Sequence, residues 1–192
     1  MTALFAPKLK PKEILVIQGS LSQYSKSHIL VESVAQKLRD RDCSFGVLDI
    51  RLSDIDFYKG AGIETYGTPT REAYARIAAA HAFVFSSPVY GGKISGGIRN
   101  LIDVMKDAMK GKLAAVMCSA KEGNAYPASV ELKELLTSAA CVRTVQPIVL
   151  VSDESFKNNL IYDDVVHDVM EEMLYSLTKQ CKEQPTQNIA TT

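Results

Sequence analysis

Three short runs of uninterrupted apolar residues constrain this chain more than any other feature: Ile14-Leu15-Val16-Ile17, Ala82-Phe83-Val84-Phe85 and residues 113–118. A strand with one wet face alternates apolar and polar residues. A run that is apolar at every position needs cover on both faces, as in a buried parallel strand. Between the runs the spacing becomes helical. Ile98, Leu101, Ile102 and Met105 fall at 0, +3, +4 and +7, one face of a helix. Ile29, Leu30, Val34 and Leu38 mark a helix over residues 27–40, and Tyr74 and Ile77 an alanine-rich one over 70–80. Leu132, Leu135, Leu136 and Ala139 mark a fourth, and Val165 to Leu177 a fifth. Residues 44–50 and 145–151 add two strands. Strands alternating with helices predict an α/β sandwich whose parallel, five-stranded sheet is covered on both faces. Ligands of such sheets bind beyond the carboxyl ends of the strands. Chemistry is therefore expected in the loops after strands one, three and four.

Charge removes several classes of function. Lys plus Arg total 22 and Asp plus Glu total 22, a net charge of zero. A nucleic-acid partner would require a basic face, and a polybasic membrane contact is equally unsupported. Residues 1–12 lack the apolar core of a signal peptide, and no run of about 18 apolar residues is present. The four cysteines form no CxxC pair and no zinc-ligand spacing. The expectation is a cytoplasmic protein with free thiols and no metal, nucleic-acid or membrane partner. Residues 13–181 are expected to form one domain, with 1–12 and 183–192 as loose arms. The glycine-rich stretch 51–69 is expected to be a long loop. It holds Phe57, Tyr58, Ile63 and Tyr66, and a monomer would leave several of these rings exposed, which predicts a homodimer or homotetramer; the competing account is that the aromatics fold back onto their own sheet edge.

Residues 19–28 follow the first strand and hold four serines, one lysine and the start of a helix. Hydroxyls and unpaired backbone N–H groups at a helix N-terminus suit a phosphate; a serine-rich turn capped by Ser25 or Ser27 accounts for the same residues. His28 could donate to such a phosphate. There is no GxxxxGK[ST] and no GxGxxG, so a phosphate here points to a mononucleotide such as FMN. After strand three, Pro88 stiffens the chain, Tyr90 could pack on a ring, and Gly91 and Gly92 allow close backbone approach; a plain turn is the competing account. Ser95 is placed to cap the next helix. After strand four, Cys118 reads as a buried packing residue, and the small residues from Ser119 to Gly123 would leave room for a ring edge.

Taken in order, residues 14–27, Ser87-Pro88-Val89-Tyr90-Gly91-Gly92, residues 96–103 and residues 119–123 resemble the NADPH-dependent FMN reductase family. The resemblance spans about residues 13–150. It implies a flavodoxin-like three-layer sandwich with strand order 2-1-3-4-5. It also implies an FMN-dependent oxidoreductase that takes a hydride from NADPH or NADH and passes electrons to a small-molecule acceptor such as free flavin, a quinone or an azo compound. By position, Ser20, Ser22, Ser25 and Ser27 would hold the FMN phosphate, and Pro88, Val89, Tyr90, Gly91 and Gly92 would line the isoalloxazine. Ser119, Ala120, Lys121 and Gly123 would border its pyrimidine side. No acid, base or nucleophile is implied. The sequence departs from the family at Ser22, where an arginine is frequent, and at Ser27 and Ile94. The alternative is a non-enzymatic flavodoxin-like electron carrier, or a fold relative that has lost flavin.

Overall fold

The computed structural model describes residues 13–121 and 124–183. The first expected arm, most of the second and Gly123 lie outside the described residues. In chain order the elements are β1 (Ile14–Gln18), α1 (Lys26–Arg39), β2 (Phe45–Asp49), α2 (Thr68–Ala79), β3 (Ala82–Tyr90), β4 (Lys93–Ile94), α3 (Gly96–Met109), β5 (Leu113–Ala120), α4 (Tyr126–Ser138), β6 (Arg143–Thr144), β7 (Val149–Ser152), β8 (Phe156–Lys157), β9 (Leu160–Ile161) and α5 (Asp164–Glu183). The parallel sheet runs β2-β1-β3-β5, with β6 and β7 both beside β5. This is the expected 2-1-3-4-5 order, with the fifth strand in two pieces and β4 added as a short antiparallel return on β3.

The continuous apolar runs are explained by two cores. Ile14, Val16, Val84, Ala115 and Met117 point to one face, where Leu30, Val34 and Leu38 of α1 meet Met170, Met173 and Leu174 of α5. Leu15, Ile17, Phe83, Phe85 and Val116 point to the other, against Ile77, Ile98, Leu101, Ile102, Met105, Leu132 and Leu136 of α2, α3 and α4. Successive residues of a strand face opposite sides, so cover on both sides demands an apolar residue at every position.

Four details differ from the expectation. β3 does not end at Phe85 but runs through Pro88 to Tyr90, in register with β5 as far as Ala120. β1 has already ended, its last residue Gln18 paired with Ser86, so a residue without an N–H is tolerated beyond that point. The fifth strand is split because Pro147 has no N–H to give a ladder: β6 pairs the start of β5 and β7 its end. The hairpin of β8 and β9 was not foreseen. Its turn residues Asn158 and Asn159 both have positive φ, 51° and 58°, as a tight hairpin turn requires. Finally, α5 continues to Glu183, into the start of the expected second arm.

Residues 50–67 are a loop apart from one 3-10 turn at Ile63–Thr65. Asp56 organises it. Its Oδ2 accepts from the Gly67 N–H at 2.7 Å and the Thr70 hydroxyl at 3.0 Å, and these bonds, the first above all, hold its carboxyl below the usual carboxylate range. Asn100 of α3 braces the same loop, donating to Asp56 O and accepting from the Tyr58 N–H, each at 2.9 Å. One expectation fails here. Tyr66 is 4% exposed, its ring folded inward and its hydroxyl accepting from the Lys59 N–H, whereas Phe57 is 84% exposed.

Candidate functional site

The β1 loop, the ends of β3 and β5 and the turn after β7 meet at one cleft of about 320 Å³. The β1 loop is shaped by its own serines. Ser20 Oγ accepts from the Ser22 N–H at 3.1 Å, Ser22 Oγ from the Tyr24 N–H at 3.3 Å, and Ser25 Oγ from the Ser27 N–H at 3.2 Å, which makes Ser25 the N-cap of α1. A hydroxyl oxygen that already accepts keeps its own proton to donate. Ser22 and Ser25 line the cleft and so offer it O–H donors, beside the partial positive charge of a 14-residue helix.

The opposite wall is sheet. Pro88, Val89 and Tyr90 of β3 and Ser119, Ala120 and Lys121 at the end of β5 line it side by side. Gly91 and Gly92, with φ of +57° and +75°, turn the chain from β3 into β4. Ser95 caps α3 through the Ile98 N–H at 3.2 Å, and its hydroxyl donates to Gly19 O at 2.6 Å, tying the start of α3 to the β1 loop.

Of the residues named from the sequence, Ser22, Ser25, Pro88, Val89, Tyr90, Ser119, Ala120 and Lys121 are thus brought to one cleft. Ser20 and Ser27 are buried behind it; the Ser27 and Ser119 hydroxyls are 2.9 Å apart, and Ser86 Oγ donates to Ser27 O. His28 is exposed and 3.3 Å from Glu32, one turn along α1. Gly91 and Gly92 shape the rim rather than the lining. Tyr24, Lys26 and Asp153 line the cleft unforeseen. Tyr24 and Lys26 sit inside the serine loop, so the signal was present. Asp153 arrives from the turn after β7, a tertiary contact with no local signature. Burial pushes the Cys118 thiol up to about 12, which leaves it a packing residue. Among the described residues no group of three or more His, Cys, Asp or Glu side chains could hold a metal, and no helix is long and apolar enough to cross a membrane.

A second cleft of about 350 Å³ lies on the other side of Tyr90, lined by Leu21, Ile50, Ile55 and Phe57 and by the first turn of α3.

The model of the NADPH-dependent FMN reductase family matches residues 13–156. The chain belongs to this family. A curated relative, the NAD(P)H-dependent FAD/FMN reductase of Geobacillus thermodenitrificans, is 28% identical over 96 residues, 48% of this chain and 51% of the relative, so the match spans about half that protein's length. Solved structures share the fold. FerB, a flavoenzyme NAD(P)H:(acceptor) oxidoreductase from Paracoccus denitrificans, superposes with a TM-score of 0.73 at 19% identity, covering 90% of this chain and 98% of FerB. The apo form of the NADH:FMN oxidoreductase EMOB gives 0.71 at 18% identity, covering 92% of each chain. A flavodoxin from an archaeon gives 0.60 at 12% identity, covering 86% of this chain and 98% of its own, so the architecture is flavodoxin-like.

The donor set of this family member fits FMN. Hydroxyl donors, an ammonium and a helix N-terminus stand at one end of the cleft, where an anion is satisfied. Pro88, Val89 and Ala120 give the sheet wall an apolar surface, against which a ring can pack.

Proposed function

We propose that this chain is an FMN-dependent NAD(P)H oxidoreductase that passes electrons to a small-molecule acceptor. The observation that carries the reading is the meeting of the serine loop after β1 with the ends of β3 and β5 at a single cleft, with anion donors on one wall and the sheet on the other. Bound FMN would supply the chemistry, accepting a hydride from NADPH or NADH and yielding its electrons to free flavin, a quinone or an azo compound. The protein's part is to hold and orient. Ser22 and Ser25 donate to the phosphate, Pro88 and Val89 back the ring, and Ser119, Ala120 and Lys121 border its polar edge. Tyr90 stands at the rim shared by both clefts.

The same reading assigns the protein to the cytoplasm, residues 13–181 to one functional domain and the working unit to a homodimer or homotetramer. Leu21, Phe57 and Tyr90 are large, exposed and gathered around the second cleft, the kind of apolar patch that a second copy covers. The test is to titrate the protein with FMN by fluorescence quenching and then add NADPH or NADH under anaerobic conditions. Loss of the flavin's visible absorption, restored by an acceptor, is the expected result. Flavin that binds but is reduced by neither nucleotide would make the chain an electron carrier. Absence of binding would make it a fold relative without the cofactor.

A further inference from the structure

Lys26 opens α1 and lines the cleft beside Ser22 and Ser25. A helix N-terminus is already positive, so its first turn favours acids and opposes cations. The first turn of α1 contains no acid, and Lys26 stands in it instead. The charge that answers Lys26 comes from across the cleft. Asp153 Oδ1 lies 3.0 Å from its Nζ, and the Phe156 ring is centred 5.1 Å away. The two side chains are 35% and 33% exposed. An ion pair this open to solvent contributes little to stability, so another anion can exchange for the carboxylate.

We propose that Lys26 is the charged contact for the terminal phosphate of the flavin and that Asp153 is its resting counter-ion, displaced as the phosphate enters. This rests on the flavin reading of the cleft. A phosphate dianion has the advantage over Asp153 on two counts. It carries more charge, and it can accept at once from Lys26 and from the Ser22 and Ser25 hydroxyls. The displaced carboxylate stays nearby and repels the dianion, so Asp153 limits FMN affinity while Lys26 creates it. Riboflavin has the same ring and no phosphate, so it is indifferent to both residues.

The experiment is a fluorescence titration of the full chain with FMN and with riboflavin. Lys26→Met is expected to raise the FMN Kd by about tenfold or more and to leave that of riboflavin within about twofold. Lys26→Arg is expected to keep most of the preference for FMN. Asp153→Asn is expected to tighten FMN by about threefold to tenfold and to leave riboflavin unchanged. An FMN Kd unmoved by Lys26→Met, or moved equally with that of riboflavin, overturns the assignment of Lys26. FMN binding weakened by Asp153→Asn overturns the displacement, because Asp153 would then be positioning the lysine. If Lys26→Met does not fold, the Asp153→Asn titration stands alone and decides. A parent protein that binds neither flavin overturns the reading of the cleft itself, an outcome distinct from the others.

Discussion

Gly19 is packed closely between the first loop and the core, and Gly19→Ala tests the packing that positions the cleft. A Cβ there would lie 2.3 Å from Ile98 Cγ1, 2.6 Å from Ile98 Cδ1 and 2.7 Å from the Ser86 carbonyl oxygen. Carbon atoms pack at about 3.5–4.0 Å, so the methyl group has to push something aside. The Ser86 carbonyl cannot yield cheaply, because it accepts the Gly19 N–H at 2.8 Å. Ile98 is fully buried among Phe85, Leu101 and Ile102. The start of α3 is held in turn by the bond from Ser95 Oγ to Gly19 O. Overpacking of this kind costs about 1–3 kcal/mol, or a fall in Tm of roughly 2–4 °C for each kcal/mol in a protein of this size. The assay is urea unfolding followed by circular dichroism, with Gly96→Ala as the control. A Cβ at Gly96 meets nothing within 4 Å, so the control should be neutral or gain about 0.4–1 kcal/mol. FMN affinity should fall with Gly19→Ala, since residues 19–25 move with the strand end. A Gly19→Ala protein with the parent's unfolding midpoint would refute the packing argument.

Other outcomes follow from the same contacts. Ser20 is buried and accepts the Ser22 N–H, so Ser20→Ala should weaken FMN by loosening the loop that carries Ser22 and Ser25 and leave riboflavin little changed; an FMN Kd unmoved in the same quenching assay would show that this bond does not shape the loop. Phe57→Asp alters an exposed ring, so it should leave the melting temperature within about 2 °C and, if the proposed oligomer forms through this face, give monomers by light scattering. The Cys118 thiol is raised from 9.0 to about 12 in the folded chain, so the unfolded state loses its proton first. Its contribution is complete below about pH 9 and drains away as pH rises toward 12, by at most about 1.4 kcal/mol per pH unit. The stability gap between the parent and Cys118→Ala should therefore close over that range in urea melts. A gap constant with pH would show that the thiol is not buried as described.

The frame of the fold was legible because both sheet faces are covered, and that condition writes itself into the sequence as runs without polar interruption. The cap of α3 at Ser95 was legible, and that of α1 was narrowed to Ser25 or Ser27, for a local reason, since capping is decided within three residues. Tyr66 was misread because a glycine-rich segment carries no periodicity; whether its rings turn in or out depends on Asp56 and Asn100, which bind the loop from outside or from its far end. The extension of β3 past Pro88 was hidden for a related reason. A proline ends a strand only where a neighbour needs its N–H, and the sequence does not show where β1 stops. The Asn158-Asn159 turn could have been found, as paired asparagines between short apolar segments mark a tight hairpin. Asp153 could not, because its place opposite Lys26 is a property of the whole sheet.

The prolonged β3 strand has a consequence for what the cleft can accept. Val89 and Tyr90 are paired to Ile94 and Lys93 on one side, and Pro88 and Val89 to Ser119 and Ala120 on the other. A wall built this way does not reshape itself around a visitor; a shift in one strand is handed to the next. It acts as a fixed gauge, against which one ring outline fits and others stand off. Latitude toward different acceptors then has to reside beyond Tyr90, where Ile50, Ile55 and Phe57 line the second cleft on a loop held in part by side-chain bonds to Asn100, Tyr66 and Thr70. Variation that broadens or narrows the range of acceptors should accumulate there, while the strand side stays silent.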